Sequence, residues 1–108
     1  MQRLSAAEVE KHLAENGGTV LLDVREPWEF DIACIQGAVN LPMNTVPEAV
    51  ENGELLPDDR DIVVICHHGV RSLQVAHYLE HVGFSRITNL DGGMEAWSRT
   101  VDASVPRY

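Results

Sequence analysis

The chain has 108 residues, of which 44% are hydrophobic and 23% charged, which excludes wholesale disorder and predicts a single globular domain over residues 1–108. Eight Lys and Arg residues against 17 Asp and Glu residues give a net charge of −9 with neutral histidines. So acidic a chain is poorly suited to nucleic acid or to an anionic membrane surface, and we expect neither as a partner.

The sequence contains no segment that predicts membrane insertion, secretion or a disulfide framework. Its longest apolar run, residues 62–66, has 5 residues, far fewer than a transmembrane helix needs. No apolar leader segment follows Met1. The two cysteines, Cys34 and Cys66, form neither a CxxC motif nor a zinc-like spacing. We therefore expect a cytoplasmic protein with reduced thiols and with no metal or organic cofactor.

The first half of the chain predicts short helices that alternate with strands. The first helix begins with a capping box at Ser5 and Glu8 and ends at residues 17–18. A buried strand at 19–24, a helical turn at 27–30 and a short strand at 38–41 follow. A second capping box, at Thr45 and Glu48, opens a short helix that ends near Gly53. Residues 19–24 are largely apolar towards both faces, which is typical of a strand inside a parallel sheet.

The second half of the chain carries the strongest signals. Residues 61–66 predict a fully buried strand, and residues 72–82 predict a helix with apolar side chains at helical spacing and Gly83 as its stop. A further strand at 86–90 and a helix at 94–98 follow. This alternation of strands and helices predicts an α/β domain with a mainly parallel sheet.

Two polar clusters follow predicted strands, at residues 23–26 and 66–72. Ligands of open parallel sheets bind beyond the carboxyl ends of the strands, so both clusters are candidate site segments. In the second cluster, Cys66 ends the most apolar strand, Gly69 permits a tight turn, and a helix begins at about Arg71 or Ser72. Backbone N–H groups and the positive end of a helix dipole then surround one point, which favours a thiolate. We infer that Cys66 is a nucleophile rather than a buried small hydrophobic residue.

Three stretches of the sequence carry a resemblance to a known family. They are LLDVREP at residues 21–27 with IQGAVNLP at 35–42, VICHHGVRS at 64–72, and NLDGGMEAW at 89–97. In this order they resemble the signatures and active-site loop of the rhodanese, or thiosulfate sulfurtransferase, family in its single-domain form. The resemblance implies a three-layer α/β fold, with a mainly parallel five-stranded central sheet flanked by helices, and a persulfide-forming cysteine at Cys66.

The chain also departs from the family pattern at one place. Where the family usually has Gly-His-Ile, this chain has Ala33, Cys34 and Ile35. We expect a structural rather than a catalytic consequence, with Cys34 either a packed small residue or a resolving thiol for Cys66. The loop length follows the sulfur-transferring members, because four residues separate Cys66 from Arg71. Related phosphatase and arsenate reductase domains have five residues there.

The loop resemblance also assigns roles to the neighbouring residues. We expect a donor-binding loop formed by His67, His68, Gly69, Val70, Arg71 and Ser72. Arg71 contacts the donor anion in this interpretation, although a helix cap or an ion pair with an acidic residue stays open. The two histidines are either catalytic groups or a solvated loop face.

Two further sets of residues are assigned to support. We expect Asp23 and Arg25 to be structural residues near the site. Trp28, Phe30 and Trp97 are expected to form core or pocket walls.

The function expected from these residues is sulfur transfer. The Cys66 thiolate attacks the sulfane sulfur of a donor such as thiosulfate, and the resulting persulfide is passed to cyanide or to a thiol. An alternative is a persulfide carrier or redox-sensing module that acts with a partner protein in a sulfur relay. A phosphatase or arsenate reductase is a less favoured alternative because of the loop length.

Overall fold

The computed structural model describes residues 1–53 and 61–107, and within them five strands form one parallel sheet. The strands are β1 (Gln2–Leu4), β2 (Val20–Asp23), β3 (Val39–Asn40), β4 (Ile62–Ile65) and β5 (Ile87–Leu90), in the spatial order β1-β5-β4-β2-β3. Every neighbouring pair is parallel. The α/β fold with a five-stranded central sheet is confirmed.

Helices lie on both faces of this sheet. They are α1 (Ala6–Glu15), α2 (Pro27–Ile32), α3 (Val46–Glu51), α4 (Val70–His81) and α5 (Gly93–Thr100), and a 3₁₀ turn at Met43–Thr45 leads into α3. Within the described part of the chain, none of the helices has the length and hydropathy needed to cross a membrane.

The first predicted capping box is present and the second is absent. The Glu8 N–H donates to Ser5 Oγ at 3.2 Å, and the Ser5 N–H donates to Glu8 Oε1 at 2.9 Å. Thr45 instead donates its hydroxyl to the Pro42 carbonyl at 2.7 Å and has helical backbone angles. The prediction at Thr45 and Glu48 was wrong because the 3₁₀ turn runs directly into α3 and occupies the hydroxyl that would have capped it.

β1 was not predicted from the sequence. It is an edge strand of three residues, and it pairs with β5 through Gln2 with Thr88 and Leu4 with Leu90. Its side chains are mostly exposed, so the segment lacks the apolar signal by which the inner strands were recognised.

The sheet separates two clusters of buried apolar side chains. One lies between the sheet and helices α3 and α4, and it contains Leu22, Val64, Val46, Ala76, Leu79 and Cys66. The other lies between the sheet and helices α1 and α5, and it contains Leu21, Val63, Ile65, Val9, Met94 and Trp97. Adjacent residues of β2 and β4 therefore contribute to opposite clusters, and full burial of each large apolar side chain contributes about 1.5–3 kcal/mol.

The aromatic predictions had different outcomes. Trp97 is buried in the α1/α5 cluster, and Phe30 lines a cavity of about 510 Å³ together with Trp97. Trp28 is 60% exposed and therefore lies outside the core, so only its alternative place in a pocket wall stays a prediction. The inward position of this turn of α2 is taken by Glu29, whose carboxylate is buried against an arginine described below.

Candidate active site

Cys66 lies directly after β4, in a tight loop that ends at the start of α4. Its side chain is buried, and the Gly69 N–H donates to Cys66 Sγ at 3.0 Å. α4 begins at Val70, slightly earlier than the sequence predicted, so its first turn directly follows this hydrogen bond. The loop thus brings a backbone donor and a helix N terminus to the sulfur, an arrangement that suits an anionic atom at this position.

Glycine is required at position 69 for both conformation and space. Gly69 has φ +99°, in the left-handed region that side chains rarely adopt. A Cβ there would also lie 3.1 Å from the Gly92 nitrogen and 3.4 Å from the Leu90 carbonyl oxygen. The loop is therefore pressed against the backbone that joins β5 to α5.

α5 holds the outer side of the same loop. The Met94 N–H donates to the Cys66 carbonyl at 2.8 Å, and the Glu95 N–H donates to the His67 carbonyl at 3.1 Å. A Cβ at Gly93 would overlap both carbonyl groups, so this contact requires glycine. Two loop carbonyls are thus bonded to a helix N terminus. Sequence reasoning identified Gly92 and Gly93 as a motif but missed this contact.

A polar network leads from the buried Cys66 to exposed side chains at the sheet edge. The Cys66 thiol donates to Ser72 Oγ at 3.3 Å, and the Ser72 hydroxyl donates to Asn89 Oδ1 at 2.5 Å. Asn89 Nδ2 donates to the Asp91 carboxylate at 2.7 Å, and Asp91 also accepts from Arg3 Nε at 3.2 Å. Asn89 is a buried amide in β5 that sequence reasoning missed, since no local pattern marks a polar residue inside a strand as functional.

Arg71 is paired with Glu29 of α2. Its two terminal nitrogens donate to the two carboxylate oxygens at 2.7 and 2.8 Å, and 34% of the Arg71 side chain is exposed against 5% for Glu29. This bidentate geometry is the ion pair that the sequence had left open as an alternative. Contact between Arg71 and a donor anion stays a prediction.

The two loop histidines stack on each other. Their ring centroids lie 4.2 Å apart and their planes differ by 14°. Burial lowers the pKa of His67, and the charge of His68 lowers it further, against the opposing effect of Glu29 and Glu95. His67 is therefore less readily protonated than an ordinary histidine. His68 and Val70 are exposed on the same loop.

Asp23 and Arg25 form a wholly buried pair at the end of β2. Arg25 Nη2 donates to Asp23 Oδ2 at 2.6 Å, and Arg25 Nε donates to Asp23 Oδ1 at 2.9 Å. The same guanidinium donates to the backbone carbonyls of Glu29 at 3.3 Å and Ala33 at 2.6 Å. Arg25 thus ties the end of β2 to the middle and to the C-terminal cap of α2.

Cys34 lies outside the loop. It is half-buried in the wall of the cavity that Phe30 and Trp97 also line, and both cysteines are free thiols. Within residues 1–53 and 61–107, no group of three or more His, Cys, Asp or Glu side chains is placed to hold a metal ion.

Known proteins share this arrangement across most of the chain. The family model described as "Rhodanese-like domain" matches residues 5–100. A sulfurtransferase of Allochromatium vinosum is 34% identical over 92% of this chain and 90% of its own. The thiosulfate sulfurtransferase GlpE of Stutzerimonas stutzeri is 35% identical over 87% of this chain and 84% of its own.

Solved structures agree with the sequence relatives. A rhodanese-like domain protein of Staphylococcus aureus has a TM-score of 0.82 at 29% identity, and it covers 100% of this chain and 99% of its own. The human single-domain sulfurtransferase TSTD1 also has a TM-score of 0.82, at 25% identity, over 93% of this chain and 97% of its own. The α/β fold with its five-stranded parallel sheet is therefore shared with these proteins.

Proposed function

The chain belongs to the rhodanese-like domain family, and on that premise we propose that it is a sulfurtransferase that carries sulfane sulfur on Cys66. The relatives named as sulfurtransferases and thiosulfate sulfurtransferases support sulfur transfer as the general reaction. The observation that carries the proposal is the hydrogen bond from the Gly69 N–H to Cys66 Sγ at the N terminus of α4. It supplies the surroundings that a sulfur anion needs.

The first step forms the persulfide. The Cys66 thiolate attacks the outer sulfur of thiosulfate, a new S–S bond forms, and the S–S bond of the donor breaks. Sulfite leaves with the bonding electron pair, so that Cys66–S⁻ and S–SO₃²⁻ give Cys66–S–S⁻ and SO₃²⁻. The terminal sulfur anion then accepts hydrogen bonds from N–H groups of the loop and faces the positive end of the α4 dipole. Both interactions offset the cost of removing the anion from water.

The second step regenerates the sulfur-free Cys66 thiolate. Cyanide attacks the terminal sulfur, thiocyanate leaves, and the Cys66 thiolate is restored; a thiol acceptor receives the sulfur in the same way. Donor and acceptor thus react with the same sulfur in turn, which is a ping-pong sequence. Because the sulfur is held covalently, the steps need no metal or organic cofactor.

The decisive experiment is intact mass spectrometry after incubation with thiosulfate. We expect the protein to gain one sulfur atom, to lose it on addition of cyanide, and to show neither change as Cys66→Ser. The Cys34→Ser variant is the matched control because it removes the second free thiol outside the loop. Gain of sulfur in Cys66→Ser but not in Cys34→Ser would contradict the proposal.

A persulfide carrier that serves a partner protein is the second candidate. The net charge of −9 favours it, since a dianion approaches an acidic protein slowly. Saturable formation of thiocyanate from thiosulfate and cyanide supports the enzyme, whereas persulfide formation without turnover supports the carrier. We place either reaction in the cytoplasm, where the two thiols stay reduced.

A further inference from the structure

Glu29 lies beside the Cys66 loop but takes no part in the sulfur-transfer steps above. On the premise of the proposed function, we propose that Glu29 is a specificity-determining residue that discriminates against donors with a second negative charge. Its carboxylate neutralises Arg71, and the loop therefore favours singly charged sulfane-sulfur donors, such as thiosulfonates and thiol persulfides, over dianionic thiosulfate.

The first step is that the charged side chains around the loop are matched. Within the described residues, the carboxylates and the guanidinium that act on His67 belong to Glu29, Glu95 and Arg25. Each has an oppositely charged partner; the pairs are Glu29 with Arg71, Glu95 with Arg107, and Arg25 with Asp23. Burial lowers the pKa of His67, which reduces its positive charge. Each of the carboxylates and guanidinium groups near the loop is therefore partly offset by its own partner.

The second step is that Glu29 uses the groups that would otherwise recognise a sulfonate. A free guanidinium offers a full positive charge and a planar fork of N–H donors to an oxyanion. In this protein both terminal nitrogens of Arg71 already donate to the Glu29 carboxylate, at 2.7 and 2.8 Å. Glu29 is 5% exposed and is held on α2 by the Glu26 N–H at 3.0 Å, so water does not replace it easily.

The third step concerns the positive potential that remains. It comes from loop amides, such as the Gly69 N–H on Cys66 Sγ, and from the N terminus of α4. A helix N terminus is equivalent to about half a positive charge, which suits one anionic sulfur better than a dianion. The net charge of −9 repels a dianion twice as strongly as a monoanion, because Coulomb energy is proportional to charge.

Singly charged donors undergo the same chemistry with balanced atoms and electrons. With benzenethiosulfonate, Cys66–S⁻ and Ph–SO₂–S⁻ give Cys66–S–S⁻ and the sulfinate Ph–SO₂⁻. With a thiol persulfide, Cys66–S⁻ and R–S–S⁻ give Cys66–S–S⁻ and R–S⁻, and the released thiolate takes a proton from water. In both cases the S–S bond of the donor breaks and one new S–S bond forms on Cys66.

The test compares how fast the protein gains one sulfur atom from thiosulfate and from benzenethiosulfonate, by intact mass of rapidly quenched samples. Glu29→Gln keeps the shape of the side chain and an acceptor for Arg71 but removes the negative charge. We expect the rate to rise about tenfold with thiosulfate and about threefold with benzenethiosulfonate. Thiosulfate carries twice the charge of benzenethiosulfonate, so removal of one nearby negative charge lowers its electrostatic energy twice as much. The persulfide of 2-mercaptoethanol, also a monoanion, is expected to follow benzenethiosulfonate.

Two variants separate charge from structure. Glu29→Gln combined with Arg71→Gln removes both charges, so we expect the ratio of the two rates to return to that of the parent. Glu10→Gln, on the exposed side of α1, makes the same change in net charge away from the loop and should change the ratio far less than Glu29→Gln does. A merely structural effect of Glu29 would alter both donors equally and would leave the ratio constant in all variants.

The outcomes of this test are distinct from those of the proposed function. If the parent gains no sulfur from either donor, the sulfurtransferase proposal fails. If the parent reacts with both donors but Glu29→Gln changes both rates by the same factor, only the specificity role of Glu29 is overturned. An increase in the ratio for Glu29→Gln that the double variant reverses would establish that role.

Discussion

The two arginines beside the candidate nucleophile are both paired with carboxylates, yet their surroundings differ sharply. Arg25 and Asp23 are fully buried, two residues apart, and the guanidinium also serves backbone carbonyls of the α2 segment. Arg71 reaches Glu29 across 42 residues, and a third of its side chain is exposed. The first pair joins elements of the scaffold, whereas the second borders the loop of the candidate nucleophile and is partly open to solvent. The same chemical pair is thus wholly enclosed in one place and within reach of water in the other.

The largest expected effect comes from breaking the buried pair. Asp23→Asn leaves the Arg25 guanidinium buried without its counter-charge, and we expect the free energy of unfolding to fall by about 3–5 kcal/mol. Urea unfolding followed by circular dichroism measures this change. Glu10→Gln is the control for a carboxylate lost from the surface, and a comparable loss there would show that burial of the pair is not the cause.

A single-residue insertion is expected to break only the exposed pair. One glycine added after Gly69 moves Arg71 away from Glu29 and widens the loop, while Asp23 and Arg25 keep their contacts. We expect sulfur transfer to fall about 100-fold, the effect of misplacing reacting groups by an ångström or so. Sulfur transfer is measured as thiocyanate formation in a folded variant. Aryl-phosphate hydrolysis is measured beside it, because phosphatase domains have the longer loop. Full sulfur transfer would mean that loop size does not restrict the chemistry.

Removing Arg71 alone should have a smaller effect. Arg71→Ala leaves the Glu29 charge uncompensated beside the loop, so we expect thiosulfate use to weaken by about 1–3 kcal/mol in kcat/KM. Arg71→Lys should recover only part of this loss, because a point charge replaces the planar fork. Unchanged steady-state kinetics in both variants would assign Arg71 to the scaffold, as for Arg25.

The smallest expected effect is a difference between the two ion pairs in how their contribution to stability depends on salt. Raising the ionic strength screens partly exposed charges but hardly reaches buried ones. We expect the stability difference between the parent and Arg71→Ala to shrink by about 0.2–1 kcal/mol in high salt. The difference between the parent and Asp23→Asn should stay constant. Equal salt dependence in the two unfolding series would remove the distinction drawn between the pairs.

The predictable parts of this molecule are those encoded locally. The strand before Cys66, the tight turn at Gly69 and the cap at Ser5 follow from neighbouring residues, and the structure contains all three. The Arg71 partner was not predictable, since any of 17 acidic residues qualifies by charge and only the fold selects Glu29. Thr45 carries a cap-like pattern, but tertiary context uses its hydroxyl elsewhere.

The edge strand β1 and the Asn89 network were missed for a related reason. β1 is stabilised by β5, whose residues lie 86 positions later in the chain, and such pairing leaves no short-range signature. Asn89 is polar within a strand that is otherwise largely apolar, and its role depends on Ser72 across the loop. Periodicity identifies which face of an element is buried but does not identify which buried polar groups meet.

The hydrogen bonds from α5 to the loop carbonyls have a consequence for the order in which the site is completed during synthesis. Ribosomes deliver the chain from its N-terminal end, so Cys66 emerges well before Met94 and Glu95. Until those residues arrive, the carbonyls of Cys66 and His67 lack their helix partners, and the thiol belongs to an unfinished loop. A purified chain truncated before residue 92 should therefore expose Cys66 to rapid alkylation. In the completed chain, the backbone of α5 supplies the partners of both carbonyls and closes the loop around the buried thiol.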